Sequence, residues 1–387
     1  MAELAVNMAA TGFGTTSRVA YTEKQADYEK LLEMAKEDNE ETGGGFYRVE
    51  DTGRKTKNDD SLYGYASATI FSSLMNLDVS HLFQSLFMEG GKNFYCYNGA
   101  TPLSSSLFSV KYMLSDNALE ESPYRTLVGG SGKSFLYRNN FSLPLGFVMD
   151  EQAIADWNVS TADRMASLNS FASALGAEGQ MLYPATYVTD ANAGDTTIDI
   201  AEDGYYYADY ESCTSDTLTV NRSDGWTKQY SKTSHRYLIE LGECKAGDEI
   251  HILNSNMESI EFEVYQLNEK VVQQAFDALN AQTMQLTDMT DRKIEGKIQV
   301  QNAGRLILSV PADEGWTLYV DGKETEIEPL ADALVGVHLE KGSYTIKLCY
   351  TTPGVKVGAG FSLGAVVLFM ISACVSTRIR RKRELHE

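Results

Sequence analysis

The chain has 387 residues, enough for two domains with full cores. Its 43% hydrophobic and 22% charged residues are those of a folded protein and exclude a disordered polymer. A net charge of −21 excludes a nucleic-acid binder, because phosphates demand a basic face, and the one dense basic cluster (Arg378, Arg380, Arg381, Lys382 and Arg383) closes the chain.

Residues 1–16, "MAELAVNMAATGFGTT", carry neither a basic start nor a long apolar run, so they do not read as a signal peptide. Thr22 and Gln25 have the spacing of a capping box. Tyr28, Leu31, Leu32 and Ala35 follow at helical spacing, and Gly43-Gly44-Gly45 ends the predicted helix after the acidic stretch Glu37–Glu41. Phe46–Asp51 reads as a strand, Ile70 to Phe87 as a helix, and Val110–Leu114 and Phe135–Tyr137 as strands. The glycines before Gly132-Lys133-Ser134 suggest a nucleotide-phosphate loop. That motif requires glycine at position 127, which is Leu127, and a helix afterwards, where Phe135-Leu136-Tyr137 reads as a strand. A glycine turn between two strands is the expectation. A helix starting near Ser160 presents Met165, Leu168, Phe171 and Leu175 on one face and stops at Gly176. Residues 1–178 therefore form an α+β region.

Beyond residue 178 the apolar period drops to two: Ile198/Ile200, Leu218/Val220, Ile250/Ile252 and Ile260/Phe262/Val264. One helix, with Val272, Phe276 and Leu279 on its inner face, interrupts the pattern. Alternation resumes at Ile298/Val300, Leu306/Leu308/Val310, Trp316/Leu318/Val320, Val335/Val337/Leu339 and Tyr344/Ile346/Leu348, with Asp321-Gly322 and Lys341-Gly342 as turns. Residues 179–353 are expected to form a mainly-β, antiparallel, jelly-roll-like sandwich.

No residue from Val357 to Thr377 is charged. As a helix at about 1.5 Å per residue this stretch spans roughly 31 Å, the thickness of a bilayer core. We read 354–377 as a transmembrane helix and 378–387 as a basic cytoplasmic tail, which places everything before Lys356 outside the membrane. An outer domain without a signal peptide is expected to be the C-terminal piece of a longer membrane protein, delivered outward by upstream helices.

Five scattered cysteines form no C-x-x-C pair and no disulfide framework, with one incidental bridge left open. The five histidines show no metal-ligand spacing, and no G-x-S-x-G elbow is present. Asp190, Asn192 and Asp195 lack the glycine and terminal Glu of a calcium loop and read as a turn. No cofactor or metal is expected in this chain.

Six phrases in order, "GFYRVED" (Gly45–Asp51), "NDDSLYGYASATIFSSLMN" (Asn58–Asn76), "YNGATPLSSSLFSVKYMLS" (Tyr97–Ser115), "LYRNNFSLPLGFV" (Leu136–Val148), "GWTLYVDGKE" (Gly315–Glu324) and "GVHLEKGSYTIKLCYTTPGVKVGAGFS" (Gly336–Ser362), resemble the extracytoplasmic region of the YfhO family. The resemblance covers most of the chain. It implies a multi-pass bacterial membrane protein of the GT-C glycosyltransferase type, which takes a sugar from a polyprenyl-phosphate carrier and attaches it outside the membrane to envelope polymers such as lipoteichoic acid. The catalytic N-terminal bundle of that family has no counterpart here, so the chain alone is expected to be inactive and no residue in it is assigned as catalytic. The implied partners are the bilayer, the glycopolymer or polyprenyl-phosphate sugar, and the upstream bundle.

Two groups are candidates for sugar or acceptor contact. Ser72, Ser73, Asn76, Tyr97, Asn98 and Thr101 lie in the family-like phrases and suit hydroxyl recognition, or equally cap helices and turns. Tyr206, Tyr210 and Trp226 could form an aromatic platform. The preferred alternative turns Tyr205 and Tyr207 into the sandwich and leaves Tyr206 exposed. A membrane-anchored carbohydrate-binding or adhesion module without enzyme activity is the rival to the transferase reading.

Overall fold

The computed structural model describes residues 18–384. The reading of residues 1–16 and the last three residues of the basic tail lie outside the described residues. The helix Gln25–Glu41 forms as its spacing dictates and buries Tyr28, Leu31 and Ala35. They pack on a four-stranded sheet ordered Arg48–Asp51, Val110–Ser115, Ser134–Asn139, Arg125–Ser131, through Val49, Tyr112, Leu114 and Leu136. The first two strands are parallel and the other pairs antiparallel. The N-cap is Lys24, without a side-chain bond, where the sequence spacing points to Thr22, and the Thr22 carbonyl accepts from the Gln25 N–H.

The last two strands of this sheet answer the phosphate-loop question. Ser131 pairs with Ser134 across a two-residue turn at Gly132-Lys133, and a strand follows instead of a helix. The predicted helix Ile70–Phe87 divides into a short strand, Ile70–Phe71, and a helix, Leu77–Ser85. Asn76 is the cause. Its backbone is extended and its side chain accepts from the Asp78 N–H, so the helix can only start after it. Likewise the helix expected near Ser160 runs from Arg164 to Ala174, because Asp163 caps the Ala166 N–H at 2.9 Å.

The β-rich part contains two sheet pairs, each with its own core, where the sequence reading has one. In the first, the jelly roll, a sheet ordered Tyr187–Asn192, Asp195–Ile200, Glu249–Asn254, Thr217–Arg222, Thr227–Ser231 faces one ordered Ile239–Cys244, Gly204–Asp209, Glu263–Leu267, Leu182–Pro184. Asn192 and Asp195 flank the Ala193-Gly194 turn, and Asp195 engages His251 at 3.0 Å, as a plain hairpin allows. The helix Glu269–Asn280 separates the two pairs.

In the second pair, Gln285–Thr290, Lys293–Val300, Gly342–Tyr350, Trp316–Val320 and Lys323–Thr325 face a three-stranded sheet of Leu334–Leu339, Gly304–Pro311 and Gly146–Met149. That last strand is donated by the N-terminal region. The turn at Asp321-Gly322 has both residues left-handed, as a tight hairpin requires. The chain then enters a helix, Val355–Glu384. Its segment Val357–Arg378 is long and apolar enough to cross a membrane and buries nothing against the rest of the molecule. All five cysteines are free.

Candidate functional site

The structure separates the sequence-selected residues into three places. Tyr206, Tyr210 and Trp226 are 0%, 2% and 6% exposed, so the aromatic platform is not formed, and the alternative with an exposed Tyr206 does not hold either. Gly204–Asp209 lies between two cores. Tyr205 and Tyr207 point to the N-terminal region, Tyr206 into the jelly-roll core, so both faces of the strand are covered. Each polar tip finds a backbone partner: Tyr206 donates to Glu202, Tyr210 to Thr233 and Trp226 to Leu119.

Ser72, Ser73 and Asn76 lie on the loop before the helix Leu77–Ser85. Ser72 Oγ accepts from the Leu74 N–H, and Ser73 is exposed. Asn76 both caps its helix and donates to the Ala312 carbonyl at 2.6 Å, joining this loop to the second sandwich.

Tyr97, Asn98 and Thr101 meet at a cavity of about 70 Å³ between the N-terminal region and the jelly roll. Thr101 closes a capping box with Ser104 at the start of the helix Pro102–Leu107. The Tyr97 hydroxyl pairs with Ser105 Oγ at 2.7 Å and accepts from Asn139 at 3.2 Å, and burial pushes its phenol up to about 12. Asn98 accepts from Arg54 and donates to Glu89. Glu89 is fully buried and also meets Lys57 and His235. Burial opposes its charge, but Lys57, His235 and Arg54 outweigh burial and hold its pKa below the usual carboxylate value.

Gly99 makes the junction possible. Its φ of +83° is left-handed, and a Cβ there would lie 2.3 Å from the Phe87 carbonyl oxygen. That carbonyl accepts from the Leu238 N–H, a backbone bond between the N-terminal region and the jelly roll.

On the far wall, sequence reasoning missed a four-member ion cluster. Arg125 and Glu120 come from the N-terminal region, Lys228 and Glu240 from the jelly roll. Lys228 reaches Glu120 at 2.9 Å and Glu240 at 2.8 Å, while Arg125 grips Glu240 and lies 3.4 Å from Glu120. Tyr205 donates its hydroxyl to Glu240 as well. Two cations and two carboxylates cancel, so the cluster brings no net charge to the cavity. No local signal marks the two pairs that cross the junction, because Arg125 and Glu240 are 115 positions apart and Lys228 and Glu120 are 108 apart.

Tyr124 lines the same cavity, stacks edge-on against Tyr205 at 4.8 Å, and is 5% exposed. Its buried hydroxyl has no protein partner. What the cavity offers is therefore aromatic wall, amide and hydroxyl, with charges mutually neutralised. That chemistry suits an uncharged polyhydroxylated group. Among the described residues, no group of three or more His, Cys, Asp and Glu is placed to hold a metal.

The comparisons with known proteins can be set beside this geometry. A family model described as "Bacterial membrane protein YfhO" matches residues 1–362. A 78-residue segment is 33% identical to the uncharacterized protein YfhO of Bacillus subtilis (strain 168), covering 20% of this chain and 8% of that protein. The chain thus aligns with a small part of that relative's length. Among solved structures, a glycoside hydrolase 29 family member from an unknown rumen bacterium is 11% identical, with 50% of this chain and 42% of that chain covered and a TM-score of 0.23. A GH2 beta-galacturonidase from Eisenbergiella tayi is 10% identical, covering 41% of this chain and 30% of that chain, with a TM-score of 0.15. These two structural likenesses are too slight to bear on fold or activity. The family match spans nearly the whole chain and includes both the cavity and the start of the apolar helix: the chain belongs to the YfhO family of bacterial membrane proteins.

Proposed function

We propose that this chain is the extracytoplasmic part of a glycosyltransferase that moves a sugar from a polyprenyl-phosphate carrier to an envelope polymer such as lipoteichoic acid. In this reading the chemistry belongs to an upstream membrane bundle, and the cavity at Tyr97, Asn98 and Tyr124 holds a sugar unit of the acceptor. The basic tail from Arg378 stays in the cytoplasm, as the positive-inside rule requires.

Two observations carry the reading: Tyr124 is among the residues that line the aromatic cavity, and its hydroxyl is buried without a protein partner. A buried hydroxyl left unbonded costs about 1–3 kcal/mol, and a ligand hydroxyl is a natural partner for it. A cavity of about 70 Å³ has room for several ordered waters or for part of a sugar unit. A full ring enters only if the N-terminal region and the jelly roll part slightly. Binding is accordingly weak, on the order of millimolar, or about −4 kcal/mol. Such weakness lets an enzyme release its polymer between additions.

The test is a titration of the chain in nanodiscs with neutral oligosaccharides and with teichoic-acid fragments, followed by NMR. Tyr124→Phe should weaken binding about tenfold while leaving the fold intact. Unchanged affinity in Tyr124→Phe would remove the cavity from the acceptor path. Sugar transfer by the chain alone would remove the assignment of catalysis to an upstream bundle. Binding without any transfer by the complete parent protein would favour a carbohydrate-binding module.

A further inference from the structure

The loop that failed to become helix is unusually apolar for its exposure. Leu74 is 95% exposed, and Phe71 and Leu77 are about half exposed beside it. Isolated exposed leucines are ordinary, but three large apolar side chains within seven residues of one loop are a patch. Its position in the fold gives the patch a meaning.

Two contacts fix that position. Asn76, two residues after Leu74, donates to the Ala312 carbonyl. Ala312 leads into the turn Asp313–Trp316, closed by the Trp316 N–H on the Asp313 carbonyl at 3.0 Å. At Gly315, in that turn, the carbonyl accepts from the Thr351 N–H at 2.9 Å, and Trp316 pairs with Tyr350. Thr351 is four residues before the apolar helix begins at Val355. The patch, the Trp316 turn and the start of the helix therefore occupy the same end of the second sandwich. Because the helix buries nothing against the domain, that end is the one a bilayer meets.

The other groups there are those of a membrane interface. Trp316 and Tyr350 form an edge-on pair at 4.9 Å, and amphipathic rings favour the headgroup level. The adjoining hairpin places Met289 and Arg292 in the open, with the Arg292 carbonyl bonded to the Tyr350 N–H. Asp78, Asp313 and Glu314 flank the loop and limit how deep it can go.

We propose that the Phe71–Leu77 loop is a second membrane contact, inserting Leu74 shallowly into the headgroup–acyl boundary of the same bilayer that the C-terminal helix spans. One helix leaves a domain free to tilt on its short connection, Thr351–Gly354. A second apolar contact on the opposite side of the Trp316 turn sets its orientation. The occupant is lipid, since the bilayer is the one apolar phase the chain itself brings to this end. The flanking carboxylates favour a zwitterionic surface over an anionic one.

The test uses the full chain in phosphatidylcholine nanodiscs, with Leu74→Cys in a Cys349→Ser, Cys374→Ser background and an environment-sensitive fluorophore on the new thiol. Val188→Cys, on the exposed jelly-roll edge strand, is the control, as Val188 is 67% exposed. The expected result is a blue-shifted label at 74, quenched by shallow doxyl-lipid and at least fivefold less accessible to aqueous iodide than the label at 188. Equal iodide quenching at both sites would overturn the proposal. So would a label at 74 protected from iodide and from doxyl-lipid together, which would mean that protein covers the loop.

Discussion

Replacing Glu240 with glutamine probes the junction between the N-terminal region and the jelly roll. The substitution keeps side-chain size and removes the charge that neutralises Arg125 and Lys228, all three side chains being at most 14% exposed. At an effective dielectric of about 20, an ion pair at the 2.8 Å Lys228 distance is worth about 6 kcal/mol, and one at the 3.2 Å Arg125 Nη1 distance about 5. Repulsion from Glu120 and the desolvation of each ion offset most of this. The expected net loss is the usual 3–5 kcal/mol for breaking one side of a buried pair, because two cations are left facing a single carboxylate.

Denaturant unfolding followed by the fluorescence of Trp226, whose indole bonds Leu119 across the same junction, reads this loss directly. Adding Lys228→Met to Glu240→Gln should recover part of it, since the orphaned cation goes too. The pH dependence has a definite sign. Burial opposes ionisation of Glu240, yet Arg125 and Lys228 hold its folded pKa well below the ordinary carboxylate value. Its contribution is therefore complete above the unfolded pKa of about 4.3 and is lost as pH falls through the lower folded value. Wild type and Glu240→Gln should differ most near neutrality and converge in acid. A neutral-pH loss under about 1 kcal/mol, the scale of a surface pair, would refute the reasoning.

Tyr206→Ala and Trp226→Ala should each cost about 3–5 kcal/mol of jelly-roll stability, because both rings fill the core, and a thermal scan showing near-wild-type melting would contradict that. Gly99→Ala should destabilise the junction by at least about 2 kcal/mol, with the Leu238 amide losing hydrogen-exchange protection first, since its bond to Phe87 is what the new Cβ displaces. His338 is raised by its bonds to Glu151 and Glu340, so its NMR titration should lie above about 6.5 and fall back in Glu151→Gln. The small stabilisation from this exposed pair is present below the unfolded pKa and fades as pH rises through the folded one.

The sequence was most readable where a single period decides the structure. Tyr28, Leu31 and Ala35 announce their helix, and Ile198, Leu218, Ile250 and Ile252 the sandwich face, because neighbours in sequence share one buried side. It was least readable where a distant segment covers the second side. Tyr206 should be exposed by alternation, but the N-terminal region covers one face of its strand and the jelly-roll core the other. Asn76, suited by its sequence position equally to hydroxyl recognition and to capping, is a helix cap. The cavity was half legible. Tyr97, Asn98 and Thr101 do line it, whereas Arg125, Tyr124 and Glu240 join it through pairings that no local pattern encodes.

The strand Gly146–Met149 has a bearing on how this molecule is made. It completes the three-stranded sheet of the second sandwich, pairing with Gly304–Pro311, yet it leaves the ribosome long before its partner. The final sandwich can therefore close only onto a segment already synthesised and still accessible. Pairings of such large sequence separation form slowly. A shortened protein starting after residue 178 would leave the Gly304–Pro311 strand with a bare edge, an invitation to sheet-to-sheet aggregation. Dissecting the chain at its apparent composition boundary should thus yield insoluble material, whereas a soluble piece has to begin upstream of Gly146 and keep both sandwiches together.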